Sequence, residues 1–368
     1  MLAPMIDRAS GRRIALSVTG AIALVGCGSR GASRPPPADP PTADAGTADA
    51  ARALAAAATD ERPRPGHARL TITGALTATV DADGVSCNDG WFWTSTQELG
   101  LTRARPRWQM TVYQEAPGAP WQAGLTVGEP SATPVTFTWT GAAAAPALTL
   151  RPTGAALDLT LRRPDDSDVR VTGELTCATF PTAPVPPAVM ALLADVAAAP
   201  VRPFATFDFG RAHDPAAASA IVRADADVAA MLGRLRRELP TGWLAFLGTD
   251  RFLGDASPPP DSVELVVARG VAPFDTLRIA RTDATNYDMQ TEALIHALTA
   301  WDQAWGIDIE HATTDTIELS LRRMPPDLDA FAREVYALCP DVVDQGTGTV
   351  AALAAEIGAR GRVYLWWD

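Results

Sequence analysis

The sequence predicts two folded regions of different class. Residues 66–180 read as an antiparallel β-sandwich or open barrel, and residues 191–368 as an α+β domain with a mixed sheet. Three observations carry this prediction. Residues 66–180 alternate apolar and polar with period two and show no long helical stripe. Past that region, apolar residues recur at spacings of three and four. Between the two lies Pro181 to Pro187, which stiffens a linker over residues 181–190.

In the first region Leu70, Ile72, Leu76, Ala78 and Val80 share one face, with Thr71, Thr73, Thr77 and Thr79 on the other. The alternation returns at Leu157, Leu159 and Leu161, and at Val169, Val171, Leu175 and Cys177. Trp108–Tyr113 and Val135–Thr140 are further strand-like runs. Threonine, valine and aromatic residues suit a pleated, half-buried surface. Asp83-Gly84 and Pro117-Gly118 supply turns. Trp91, Trp93, Trp108, Trp121 and Trp139 are either ligand-facing or packing residues, and packing is the simpler role.

In the second region Ile221, Val228, Leu232, Leu235 and Leu239 predict a helix ending before Pro240. Trp243–Leu247, Val263–Ala268 and Phe274–Ile279 predict strands. Leu294, Leu298, Trp301 and Trp305 stripe a second helix. Ile307–Glu310 and Thr316–Leu321 read as strands. A third helix starts near Pro325-Pro326 and carries Leu328, Phe331, Val335 and Leu338 inward. Val350, Leu353 and Ile357 stripe a last helix. Arg362–Trp367 is apolar on both faces, which predicts a central strand.

The N-terminus gives an address. Arg8, Arg12 and Arg13 precede an apolar run from Ile14 to Val25, too short for a bilayer core that needs about 20 residues. Leu24-Val25-Gly26-Cys27 closes that run and resembles the lipobox of bacterial lipoproteins. The resemblance implies a signal peptide over 1–26, cleavage before Cys27 and acyl chains on its thiol, with membrane attachment outside the cytoplasm. Gly28 after the cysteine favours the outer membrane in an envelope that has one. Residues 27–65, rich in proline and alanine, read as a disordered stalk. The opening Ile72-Thr73-Gly74 and closing Val171-Thr172-Gly173-Glu174-Leu175-Thr176-Cys177 also resemble small β-domains of secreted bacterial lipoproteins.

Composition narrows the chemistry. The chain carries a formal charge of −12. Residues 66–182 hold 8 arginines against 11 acids, and residues 183–368 hold 15 against 26. Such a surface repels nucleic acid, and no basic stripe reverses it. Every one of the 31 basic residues is arginine, which excludes Schiff-base lysines and phosphate-loop lysines. With Cys27 assigned to lipid, Cys87 and Cys177 are expected to pair in an oxidising compartment, leaving Cys339 as a buried thiol.

Four ordered segments carry a second resemblance: Thr285-Asn286-Tyr287-Asp288, Val335-Tyr336-Ala337-Leu338-Cys339-Pro340-Asp341, Asp344-Gln345-Gly346-Thr347-Gly348-Thr349-Val350 and Leu365-Trp366-Trp367-Asp368. Over residues 235–368 the chain resembles the bacterial family known as domain of unknown function 4253. That resemblance implies a domain and a fold but no activity. The residues themselves offer no triad, no metal constellation and no cofactor loop. Asp308, Glu310, His311, Asp315 and Glu318 read as a solvated acidic face. Cys339 lies in the last turn of a helix, where the macrodipole disfavours thiolate. The expectation is therefore a non-enzymatic, membrane-anchored binding protein without cofactor or metal, serving an extracytoplasmic protein or small ligand. The competing expectation is a hydrolase-like enzyme using Asp341 and Asp344, with Trp366 and Asp368 nearby.

Overall fold

The computed structural model describes residues 45–88, 91–99, 104–127, 135–144, 146–206, 214–223, 226–249, 262–287 and 289–367. Cys27, Asp368 and the whole predicted signal segment lie outside the described residues.

Helix α1 (Ala45–Ala56) comes first, within the segment whose composition predicts a disordered stalk. Alanine explains the difference: it contributes little apolar bulk but is the best helix former. After α1 the chain is strapped down. Trp243 Nε1 donates to the Ala57 carbonyl at 2.8 Å, and Thr59 N–H to the Thr241 carbonyl at 3.0 Å. Arg269 holds Glu61 at 3.3 Å and lies 4.9 Å from the Trp243 ring centre. Gly242 (φ 88°) is required here, because a Cβ would sit 1.7 Å from the Thr59 carbonyl oxygen.

Ten strands then form one antiparallel sheet: β1 (His67–Gly74), β2 (Ala78–Asp83), β3 (Ser86–Asn88), β4 (Trp91–Leu99), β5 (Ala104–Gln114), β6 (Trp121–Val127), β7 (Val135–Gly141), β8 (Leu148–Arg151), β9 (Gly154–Arg162) and β10 (Asp168–Thr176). The order is β2-β1-β10-β9-β7-β6-β5-β4-β3, with β8 paired to β9. The run from Leu70 to Val80 is thus a hairpin rather than one strand. Strands β2 and β3 stand at opposite ends of this order, yet only Gly84 and Val85 join them. A flat path of nine strands would separate its ends by about 38 Å at ~4.8 Å per strand. The connection spans about 10 Å at most. The sheet must curl, and the result is an open barrel. Inside it Leu70, Ile72, Met110, Val112, Leu125, Phe137, Leu159, Leu161, Val169 and Val171 form one core. Trp121 is buried in that core, and Trp108 and Trp139 pack against it. Cys87 in β3 is bonded to Cys177 just past β10, as expected, so the disulfide ties the free end of the sheet back across the gap.

The second region contains helix α2 (Pro187–Ala197), β11 (Val201–Phe204), β12 (Asp214–Arg223), α3 (Val228–Glu238), β13 (Trp243–Leu247), β14 (Ser262–Arg269), α4 (Asp275–Ala280), α5 (Thr291–Trp305), β15 (Ile307–Ala312), β16 (Thr316–Leu321), α6 (Leu328–Leu338), α7 (Val350–Arg360) and β17 (Arg362–Trp366). The seven-stranded sheet runs β11-β12-β14-β13-β15-β16-β17 and is mixed, since β13 and β15 pair in parallel. Helices α2 and α3 bury Leu193, Leu232 and Leu235 against one face; α4 to α7 bury Leu277, Leu298, Phe331 and Ile357 in the core of the other.

Three expectations are corrected. Phe274–Ile279 forms α4, not a strand: the fully buried Asp275 carboxylate accepts the Val271 and Ala272 N–H groups at 2.9 and 3.1 Å and starts a helical turn. Ile221 belongs to β12, and α3 begins only after Asp227, whose carboxylate caps the Ala230 N–H. The last strand is not central. Among the described residues β17 pairs only with β16, and it alternates, with Val363 and Leu365 inside and Tyr364 outside. The fully buried strand is β14, which lies inside the sheet between β12 and β13.

The disulfide closes a loop with a sequence separation of 90, so Cys87→Ala/Cys177→Ala should lose up to about 4–5 kcal/mol by the chain-entropy estimate. Urea unfolding checks this; an unchanged midpoint would mean that the barrel closes without the cross-link.

Candidate functional site

The four motif segments converge into one hydrogen-bonded knot at the C-terminal side of α6. Pro340 follows that helix, and Val342–Thr347 form a π-helical turn, a rare and wide conformation that starts after Asp341 and carries Asp344 and Gln345. Asp341 is buried. Its Oδ1 accepts the Tyr287 hydroxyl at 2.6 Å and the Gln345 amide at 3.1 Å. Asp344 is exposed and accepts the Tyr336 hydroxyl at 3.0 Å. Gly346 lies against Trp366, where a Cβ would come within 2.9 Å of the indole. Cys339 is fully buried and donates its thiol to the Trp366 carbonyl at 2.9 Å; Trp367 Nε1 donates to the Leu338 carbonyl at 3.2 Å.

The electrostatics of the knot hold its two buried donors neutral. Burial, reinforced by the bond to Asp341, pushes the Tyr287 hydroxyl well above its ordinary value of 10.0. Burial likewise pushes the Cys339 thiol from 9.0 up to about 12. Both groups are therefore neutral donors at physiological pH. The two carboxylates serve different phenols, and neither faces a cavity described below. Among the described residues, no group of three or more His, Cys, Asp or Glu side chains could hold a metal ion. Asp308 is held by Arg322, and Glu310 and Glu318 are both held by Arg362. His296 is exposed on α5, and His311 bonds the Gly248 carbonyl at 2.7 Å.

A cleft of about 680 Å3 lies elsewhere, where the barrel meets the α+β region. Its barrel side is the closure segment: Gly84, Val85, Ser86 and the Cys87–Cys177 disulfide, with Arg64 and Pro65 before them. Its other side is α4, the turn after it, and the first turn of α5. Ser86 donates its hydroxyl to Gln290 Oε1 at 2.7 Å, bridging the two sides. Arg278 is locked, meeting Glu292 through two bonds at 2.7 and 2.9 Å and Asp275 at 2.9 Å. Although burial weakens its charge, these carboxylates outweigh burial and raise its pKa. Arg281 follows α4 in the left-handed region (φ 55°), costly for any residue but glycine, and lays its guanidinium 4.1 Å from the Phe180 ring centre. Gln290 gives α5 no side-chain cap.

A structure with this layout is an open barrel joined to a mixed α/β sheet domain. Residues 264–368 match the family model described as Domain of unknown function (DUF4253). The match starts in β14 and takes in the whole motif knot. The barrel, α1 to α3 and β11 to β13 lie outside it. No curated protein and no solved structure matches the chain.

Sequence reasoning found Asp341, Asp344 and Trp366, and the structure gathers them; Asp368 lies outside the described residues. It did not find the cleft. Ser86 and Phe180 are far in the chain from Arg281 and Gln290, and the four carry no motif. The one local signal was Arg281, a long side chain at a helix end that normally selects glycine.

Tyr287→Phe should cost about 1–3 kcal/mol in urea unfolding, because a buried carboxylate loses a donor. Tyr336→Phe, at the surface, should stay within about 0.5 kcal/mol. Equal losses would deny Tyr287 its special role. Cys339 gives a pH signature. The unfolded thiol ionises near 9.0 and the folded one near about 12, so the folded chain holds the extra proton between them. Stability should therefore fall as pH rises through that window, and Cys339→Ala should flatten the fall. An identical slope in the variant would count against it.

Proposed function

We propose that this chain is a lipid-anchored protein of the cell envelope, tethered through Cys27 outside the cytoplasm, that binds a ligand without turning it over. The observation that carries the binding role is the cleft at the junction of the two regions. Its size suits a small molecule, and junctions between domains are favoured places for such sites. The hydrolase-like alternative is less well supported. It needs paired, perturbed carboxylates in a pocket, whereas Asp341 is buried beneath Tyr287 and Asp344 points to solvent beside Tyr336.

Support for the envelope address comes from the lipobox-like tetrapeptide and from the Cys87–Cys177 disulfide, since such bonds persist in oxidising compartments. Among the described residues no helix is long and apolar enough to cross a membrane. An acyl anchor would supply attachment instead.

Two experiments test the proposal. In cells fed radiolabelled palmitate, the chain should take up label and sediment with membranes, and Cys27→Ala should do neither. A Cys27→Ala protein that remains in the membrane pellet would defeat the anchor. For binding, a small-molecule screen by NMR on the full chain should yield ligands that shift the Ser86, Arg281 and Gln290 signals, and Ser86→Phe should abolish them. Catalytic turnover that disappears in Asp344→Asn would instead establish the enzyme.

A further inference from the structure

The Cys87–Cys177 disulfide lines the cleft, and both of its cysteines are half-buried rather than buried. A thiol in solution can therefore reach it, and disulfides within reach of solvent are the ones that exchange readily. The other described cysteine, Cys339, is buried in the motif knot and gives its thiol to the Trp366 carbonyl. Among the described residues, opening the bond thus leaves one accessible pair of thiols and one way to close it again.

The neighbours of this bond are the contacts between the two regions. Ser86, beside Cys87, donates to Gln290 Oε1 at 2.7 Å. Gly84 faces Glu292 so closely that a Cβ on it would lie 3.4 Å from Glu292 Cβ. Phe180, shortly after Cys177, has the Arg281 guanidinium 4.1 Å from its ring centre, and the Asp214 carboxylate attracts the same guanidinium. Each half of the disulfide therefore carries one docking contact, and the bond fixes their spacing, with the two Cα atoms 5.6 Å apart. The halves are not held equally. On the Cys177 side the Cys177 N–H bonds the Thr153 carbonyl at 2.9 Å, and Thr179 pairs with Arg64 through two backbone bonds. On the Cys87 side β3 is 3 residues long and, among the described residues, pairs only with β4. Just before it the Gly66 carbonyl takes the Gly84 and Val85 N–H groups at 2.8 and 3.3 Å.

We propose that the Cys87–Cys177 disulfide is a redox latch on this junction: its reduction by a dithiol frees β3, breaks the Ser86–Gln290 bond and widens the cleft, while both regions stay folded. A thiolate of the dithiol attacks one sulfur and forms a mixed disulfide, and the other cysteine leaves as a thiolate that takes a proton. The second thiolate of the reductant then displaces the remaining cysteine, which is protonated in turn. The protein gains two electrons and two protons, and the reductant ends as a disulfide. Each region keeps its own apolar core, Leu70, Met110 and Leu159 in the barrel and Val266, Leu298 and Phe331 in the other. The latch works whether or not the cleft holds a ligand, so it stands or falls apart from the binding role.

The test compares the full chain before and after dithiothreitol, without denaturant, with alkylation and mass spectrometry reporting which cysteines react. Cys87 and Cys177 should become alkylated and Cys339 should not. Hydrogen exchange should quicken several-fold over residues 84–88 and 290–294 and return on reoxidation, while β9, β10 and β14 keep their protection. Cys87→Ser/Cys177→Ser should show the reduced pattern throughout and ignore dithiothreitol. Ser86→Ala in the oxidised chain should quicken residues 290–294 alone, which ties the effect on α5 to that one bond. A disulfide that dithiothreitol opens only in denaturant would overturn the proposal. So would reduction that leaves residues 290–294 unchanged. Loss of protection across β9 and β10 on reduction would make the bond a purely structural cross-link and overturn it too.

Discussion

The two-residue connection between β2 and β3 is the constraint on which the rest of the molecule depends. Gly84 and Val85 link the opposite ends of a ten-stranded sheet, so the sheet can satisfy its hydrogen bonds only by curling. The disulfide between Cys87 and Cys177 holds the curl where no ladder does. Closure has a second consequence. It brings Ser86 against Gln290 and Gly84 against Glu292, so the seam of the barrel becomes one wall of the cleft. The feature that makes the barrel also docks it on α5.

On the α+β side, two ionic devices hold the docking surface still. Arg278 spans Asp275 and Glu292 and so couples α4 to the start of α5. Arg269 reaches Glu61, the Trp243 ring and the Pro184 carbonyl, gathering the N-terminal strap and the linker onto β14. Both guanidinium groups are largely removed from solvent, where ion pairs are screened least.

The motif knot ties chemically suggestive residues into a network of structural contacts. Tyr287, Tyr336, Cys339, Asp341 and Gln345 are residue types found in active sites. Here each polar atom that is buried has a protein partner, and the thiol and the Tyr287 phenol are held protonated. The knot pins the π-helical turn to β17, an edge strand that would otherwise present its Trp366 carbonyl unpaired. A cysteine covering a sheet edge needs to be small, apolar enough for burial and able to donate one weak bond, which Cys339 is.

Much of this was legible in the chain. Period-two alternation identified the barrel strands, stripes at three and four identified α5, α6 and α7, and the placement of Cys87 and Cys177 around the sheet identified their bond. These succeed because burial of one face imposes its own period on the sequence. The misreadings have equally local causes. Phe274–Ile279 is short and apolar, and only the Asp275 carboxylate, folding back onto Val271 and Ala272, makes it a helix. Residues 45–56 look like a stalk until Leu54 and Ala57 find a surface to cover. β17 looks central because Tyr364 and Trp366 are apolar, yet they sit on its outer face, their ring centres 5.6 Å apart. The sequence alone determined the layout, the arginine-only chemistry, the disulfide and the convergent motifs. Only the tertiary structure made the cleft. The cleft is made by residues as far apart in the chain as Arg64 and Glu292, and no periodicity or spacing records a surface that exists only after two regions have closed on each other.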